Sequence, residues 1–283
     1  MLRPYSLPLV ASFTVVVLLL AACSGSSDES ADTTLAPTTT EQMTTTTTAS
    51  TTTAATTTTV AAATWDLVWI SDSRGFGVAQ LWADLIEEAE GVEVRVHDRA
   101  TPRLSLVQVR EWFTHDDEFR GEVADAEIIF VFGNPTGSGP DEGCAPWTEP
   151  YWQPPERATP ADWASYGDVL RDILDVVVEL RAGQPTVIRV ADEWAAPIAD
   201  WREAGVEAVC TAGWEAQAGV IREAADEYGA GTASWYDAFN GPDHDEDPRE
   251  KGYISSDGWH QSVEGAAAQV EVLHTLGYDA IAP

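Results

Sequence analysis

The sequence predicts an α/β fold: a three-layer α/β/α sandwich built on a mostly parallel five-stranded sheet. Two observations lead to this prediction. Short apolar runs of strand length alternate along the chain with longer segments whose apolar residues recur at helical spacing. Strands that are separated by helices imply a parallel sheet covered by helices on both faces.

The first half of the folded region supplies three of the five strands. Residues 65–71 form a short apolar run, and residues 78–91 show the apolar spacing of an amphipathic helix. Residues 92–98 alternate as a second strand, and residues 104–113 are predicted to be helical. The third strand, residues 126–133, is the most hydrophobic of the set.

The second half begins with a long loop rich in proline and aromatic residues, residues 134–160. Pro160 then occupies a first-turn position that suits a helix start. The elements predicted after it are a helix at 160–183, a strand at 185–191, helices at 193–205 and 214–229 with Cys210 between them, a weaker strand at 231–239, an acidic loop at 240–252 and a last helix at 263–277.

Charge excludes several classes of partner. The chain carries 47 acidic and 15 basic residues, for a formal net charge of −32. Such a surface repels phosphates, so binding to nucleic acid or to anionic lipid is not expected. Solubility outside the cell is the simpler explanation of this charge.

Residues 1–23 have the character of a targeting segment, with Arg3 ahead of an apolar stretch that is too short to span a membrane. The stretch ends in "LAAC", which resembles the lipobox of bacterial lipoproteins and implies that Cys23 is lipidated. The alternative is an ordinary secretory signal with an incidental cysteine. The first interpretation predicts an exported protein that is lipid-anchored to the cell membrane and faces outside, without spanning the bilayer.

Residues 24–64 are predicted to be a disordered threonine-rich linker, because they lack apolar periodicity and cannot bury enough surface to offset their ordering entropy. The folded domain is then residues 65–283. It contains two cysteines, Cys144 and Cys210, which in an exported chain suggest one disulfide bond. They lack the paired spacing of a zinc site, and no metal or cofactor is expected.

Polar residues collect where strands of the predicted sheet end. Ser71, Asp72 and Ser73 lie at the end of the first strand, and Gly133 and Asn134 lie at the end of the third. Sites in parallel sheets form at the carboxyl ends of strands. Ser73 is a candidate nucleophile, although a serine here could instead only cap the next helix. Asp72 is expected to cap or brace the turn.

Near the chain end, "SSDGWHQSVEG" places Asp257 and His260 three residues apart in a loop before the last helix. Acyl transfer by a serine needs an imidazole to accept its proton and a carboxylate to orient that imidazole. The short spacing allows Asp257 to hold the His260 ring. Together with Ser73, these residues predict a Ser-His-Asp triad.

These stretches resemble the sequence blocks of SGNH hydrolases, the superfamily of the GDSL esterases and lipases. "WISDSRGFG" resembles the first block with Ser73 at the nucleophile position, and "SDGWHQSVEG" resembles the last, including Gly265 in the helix. The resemblance covers the domain in order and implies the flavodoxin-like fold of that superfamily. It also implies an oxyanion hole formed by the Ser73 N–H, a backbone N–H near Ala100 and the Asn134 side chain.

The chain departs from the SGNH pattern in the middle blocks. No glycine follows the second strand, so that Ala100 or Thr101 would have to supply the backbone donor. Gly133 and Asn134 are adjacent, whereas one residue usually separates them in the superfamily, and Pro135 replaces a frequent aspartate. The membership of the superfamily is less affected by these changes than the catalytic efficiency.

The function expected from the sequence is cleavage of carboxylic esters by a cell-surface serine hydrolase, acting on a small-molecule or glycan ester. Trp147 and Trp152 in the long loop are candidates for substrate binding, or could equally cover the sheet. An O-acyltransferase or deacetylase of envelope polysaccharide is one alternative. A binding lipoprotein that keeps the fold without catalysis is another.

Overall fold

A computed structural model describes residues 63–133 and 160–282. Five strands in these ranges form one sheet in the order β2-β1-β3-β4-β5, and every neighbouring pair is parallel. The strands are β1 (Thr64–Ile70), β2 (Glu93–Asp98), β3 (Ile128–Val131), β4 (Val187–Ala191) and β5 (Gly231–Ala233). The predicted sheet is therefore confirmed, and it is parallel throughout.

Helices cover both faces of the sheet. One apolar core lies between the sheet and α1, α7 and α8, and a second lies between the sheet and α2, α3, α4 and α6. The helices are α1 (Val78–Glu90), α2 (Leu106–His115), α3 (Asp117–Asp125), α4 (Pro160–Leu180), α5 (Ile198–Ala204), α6 (Glu207–Glu227), α7 (Trp235–Asn240) and α8 (Val263–Thr275). This is the three-layer arrangement that the sequence predicts.

Strand β1 is apolar over most of its length because both of its faces are buried. Successive side chains of a strand point to opposite faces, so Leu67 and Trp69 enter one core while Val68 and Ile70 enter the other. Trp69 pairs in register with Phe130 of β3, and the two rings stack with centroids 3.9 Å apart. A strand buried on both faces cannot show polar alternation.

The chain reverses its direction of winding between β1 and β3, which are neighbours in the sheet. In such sheets, the crevice at this switch point is where ligands bind. The residues that follow β1, including Ser73, and Gly133 after β3 therefore lie at the same edge. The topology alone therefore locates the candidate site at this edge of the sheet.

Two predictions about local structure were wrong. The strand predicted at 231–239 ends at Ala233, because the Ser234 hydroxyl accepts a hydrogen bond from the Asp237 N–H and starts α7. Cys210 lies inside α6, where it is fully buried, and not between two helices. Helix α3 was not predicted; the Asp116 carboxylate caps it.

Several sequence predictions fall outside the described residues: the signal segment with Cys23, the linker, and the long loop with Asn134, Cys144, Trp147 and Trp152. The pairing of Cys144 with Cys210 accordingly stays a prediction. Within the described ranges, no helix has both the length and the apolar character needed to cross a bilayer.

Candidate active site

Ser73 opens a single 3₁₀ turn, Ser73–Gly75, directly after β1. The preceding Asp72 has extended backbone, and its carboxylate accepts a hydrogen bond from the Arg74 N–H at 2.9 Å. Asp72 thus caps the turn, as the sequence predicted. Gly77 then takes a left-handed conformation with φ of 74°, which redirects the chain into α1.

Ser71 stands where the GDS motif has glycine, and a small neighbour makes room for it. The Ser71 hydroxyl accepts a hydrogen bond from the Trp69 indole N–H at 2.8 Å. A Cβ atom added to Gly75 would lie 2.2 Å from the same hydroxyl oxygen. The serine at position 71 is therefore accommodated because residue 75 is a glycine.

Asp257 and His260 lie in a tight loop that is closed by backbone pairing. Ile254 and Gln261 form an antiparallel bridge, and the Ser255 N–H donates to the His260 carbonyl at 2.8 Å. Gly265 fixes the loop against α8, since a Cβ atom there would be 2.2 Å from the Tyr253 carbonyl oxygen. This close approach explains the glycine in the last sequence block.

The structure brings Ser73, His260 and Asp257 together. The Ser73 hydroxyl oxygen lies 2.9 Å from His260 Nε2, and His260 Nδ1 lies 2.7 Å from Asp257 Oδ2. With the ring proton on Nδ1, that N–H donates to Asp257, while Nε2 accepts from the Ser73 hydroxyl. This geometry is the one required for a serine to be deprotonated by histidine.

Asp257 is held in its charged form. Partial burial raises the pKa of its carboxyl, but this effect is outweighed by hydrogen bonds from the Trp259 N–H, the His260 ring and N–H, and the Ser255 hydroxyl. The resulting pKa lies well below that of an ordinary aspartate. A carboxylate that is ionised at neutral pH can both orient the ring and stabilise it when protonated.

The structure describes some of the predicted oxyanion donors but not Asn134. The Ala100 N–H, predicted to face the substrate, donates instead to the Asp98 carboxylate at 2.9 Å, and the Thr101 N–H donates to the Ser71 carbonyl at 2.9 Å. Neither amide is a free donor in this structure. Asn134, Trp147 and Trp152 lie outside the described residues, so their roles stay predictions.

Two buried charged residues beside the triad, Arg74 and Glu193, were not predicted from the sequence. Arg74 is only 1% exposed and Glu193 2% exposed. The sequence contained one indication of this, an arginine directly after the candidate serine at the end of a strand that is predicted to be buried. Among the residues that the structure describes, no group of three or more His, Cys, Asp or Glu side chains could hold a metal ion.

No protein-family model matches the sequence, and the comparison with curated proteins gives no match. Solved structures do match. The lipase Lip_vut3 from a goat rumen metagenome is 18% identical, with a TM-score of 0.56 over 76% of this chain and 98% of that chain.

Two further structures give a similar result. LAE5, an alpha/beta hydrolase enzyme from the metagenome of Lake Arreo, Spain, is 12% identical, with a TM-score of 0.52 over 76% of this chain and 95% of its own. TesA is 13% identical, with a TM-score of 0.50 over 77% and 99%. At these identities the likeness concerns the fold, and the chain has the α/β fold of SGNH hydrolases.

Proposed function

We propose that this protein is a serine hydrolase that cleaves carboxylic esters, with Ser73 as nucleophile, His260 as general base and Asp257 as the group that orients the ring. One observation carries the proposal. An unbroken chain of short contacts joins the Ser73 hydroxyl to the Asp257 carboxylate through both ring nitrogens of His260, although Ser73 and His260 are 187 positions apart.

The geometry supports a two-step reaction. Ser73 Oγ attacks the carbonyl carbon of the ester while its proton moves to His260 Nε2, and the tetrahedral intermediate expels the alcohol, which takes that proton. Water then attacks the acyl-serine and loses a proton to His260. The bond from the acyl carbon to Ser73 Oγ breaks, Oγ takes that proton back from His260, and the acid leaves. The Ser73 N–H and Asn134 are the proposed donors to the oxyanion.

Replacement of Ser73 tests this function. Ser73→Ala should remove hydrolysis of p-nitrophenyl acetate down to the rate measured without protein, because the substitution removes the hydroxyl that is proposed to attack the ester. Ser234→Ala is the matched control, since Ser234 caps α7 and contacts none of the triad. Turnover by Ser73→Ala that equals that of the wild type would contradict the assignment.

The natural substrate and the location are also proposals, and they rest on the sequence. A lipid anchor at Cys23 and a long linker would hold the domain outside the cell, within reach of esters on envelope polysaccharide. Deacetylation or acyl transfer on such a glycan is the variant of this function that best suits that location.

A second candidate function is a binding protein that keeps the fold without catalysis. The observation that favours it is the hydrogen bond between the Ala100 N–H and Asp98, which occupies one predicted oxyanion donor. Loss of one donor lowers the rate of such enzymes by about 10²- to 10³-fold without abolishing it. Ester hydrolysis that is undetectable in the wild type would favour this candidate.

A further inference from the structure

A buried guanidinium lies directly beside the candidate nucleophile. Arg74 donates to both carboxylate oxygens of Asp72, with Nη2 2.7 Å from Oδ2 and Nε 3.3 Å from Oδ1. Its remaining terminal nitrogen, Nη1, contacts Glu193 Oε1, and both side chains are buried. Ser73 is thus flanked in sequence by two residues that share one buried ion cluster.

This cluster joins segments that are far apart in the sheet. Glu193 follows β4, which is separated from β1 by β3, so the contact between Arg74 and Glu193 passes over the end of β3. There the guanidinium carbon lies 5.0 Å from the ring centroid of Phe132. It also lies 5.7 Å from the ring of Trp259, in the loop that carries His260.

A second set of contacts leads from Glu193 to Gly133, which follows β3. Gln217 of α6 donates to Glu193 Oε2 at 3.2 Å and lies close enough to Tyr166 of α4 to affect the pKa of its hydroxyl. The Tyr166 hydroxyl donates to the Gly133 carbonyl at 3.1 Å. One network therefore connects the turn of Ser73 to the start of the loop with the predicted oxyanion donor.

Burying two carboxylates and one guanidinium costs free energy. Buried ion pairs often stabilise a protein no better than apolar side chains of the same volume, because each ion loses its hydration. Their advantage here is geometric, since the planar guanidinium forms directed bonds to several partners at once. Small displacements of a reacting group lower catalytic rates strongly.

We propose that Arg74 and Glu193 are positioning residues: they hold the turn of Ser73 and the end of β3 in fixed register, so that the Ser73 hydroxyl meets His260 Nε2. The proposal rests on the function given above. It requires no contact between either residue and the substrate. It predicts an effect on kcat with little effect on KM, because neither residue is proposed to bind the substrate.

The test compares Arg74→Lys, Glu193→Gln and the control Asp192→Asn. Asp192 is the neighbour of Glu193 and is 0% exposed, but it accepts bonds from Tyr236, Ser234 and Arg222 and none from the nucleophile turn. For p-nitrophenyl acetate, kcat should fall about 100-fold in Arg74→Lys and about tenfold in Glu193→Gln, with KM within about twofold. Asp192→Asn, normalised to folded protein, should retain kcat.

The proposal is overturned if Arg74→Lys and Glu193→Gln both keep the kcat of Asp192→Asn, or if their loss lies in KM alone. If Arg74→Lys does not fold, Glu193→Gln decides. If the wild type hydrolyses no ester, the proposed function fails, and a crystal structure of Glu193→Gln decides this inference. A Ser73 Oγ to His260 Nε2 distance beyond about 3.5 Å supports it, and an unchanged distance overturns it.

Discussion

At the scale of single residues, the site depends on how each reactive group is held by its neighbours. Asp257 accepts hydrogen bonds from two backbone N–H groups in its own loop, which fixes the carboxylate before it contacts the His260 ring. Ser73 begins a turn that Asp72 caps. The spacing of three residues between Asp257 and His260 contains enough information to predict their contact, since the loop is short.

Gly75 offers a test of how tightly the nucleophile turn is packed. Gly75→Ala should lower the free energy of unfolding by about 1–3 kcal/mol, because the new methyl group would overlap the Ser71 hydroxyl and the Trp69 indole. Ester hydrolysis should fall with it, since the overlap displaces the turn of Ser73. Urea denaturation and turnover of p-nitrophenyl acetate measure the two effects.

Gly121 in α3 is the matched control for this substitution, because a Cβ atom there meets nothing within 4 Å. Gly121→Ala should be neutral or stabilising by up to about 1 kcal/mol, as expected for alanine in a helix. Equal stability of the Gly75→Ala and Gly121→Ala variants would show that the turn is not packed as described.

At the scale of elements, the acidic loop before the last helix is more ordered than its charge indicates. His244 is only 7% exposed and contacts Glu215 of α6 through Nδ1, while its Nε2 lies 2.6 Å from Asp237 of α7. Its ring also stacks on Tyr236. The sequence showed a run of acidic residues, and nothing in it indicated that the histidine within that run joins two helices.

The charge of His244 should make stability depend on pH. Burial lowers its pKa, but the hydrogen bonds to Glu215 and Asp237 outweigh that effect, and the pKa is raised in the folded protein. A raised pKa means that the stabilisation is complete below the unfolded value of about 6.5 and is lost as the pH rises through the folded value. The free energy of unfolding should therefore decrease over that range.

His244→Gln is the variant that isolates this effect, since glutamine keeps hydrogen-bonding capacity without a titrating charge. Urea denaturation at a series of pH values from 5 to about 9 should show a flatter dependence for His244→Gln than for the wild type. Identical slopes for the two proteins would mean that His244 does not carry the pH dependence.

Elements also show where sequence patterns are ambiguous. The run that begins at Trp235 is as apolar as a strand, but it forms a helix that the Ser234 side chain caps. Helix α6 begins at Glu207, well before the apolar spacing becomes regular. Local propensity was sufficient for the long helices and for the central strands, whose periodicity is strong, but not for these short or irregular segments.

At the scale of the whole molecule, the topology brings the ends of β1 and β3 together and explains why the candidate site could be predicted from sequence order. Ser73 and His260 were identified from separate sequence blocks, and the fold places both at one edge of the sheet. The link from Arg74 to Glu193 could not be predicted in this way. It depends on which strand lies between β1 and β4, and this order is a property of the tertiary structure.

The role of Ser73 is tested most directly by covalent labelling of the folded protein with a fluorophosphonate, followed by mass-spectrometric mapping of the modified peptide. We expect one adduct, on Ser73, that is lost in Ser73→Ala and after unfolding in urea. An adduct on any other serine, or a folded wild-type protein that acquires none, would contradict the claim that Ser73 is a histidine-activated nucleophile.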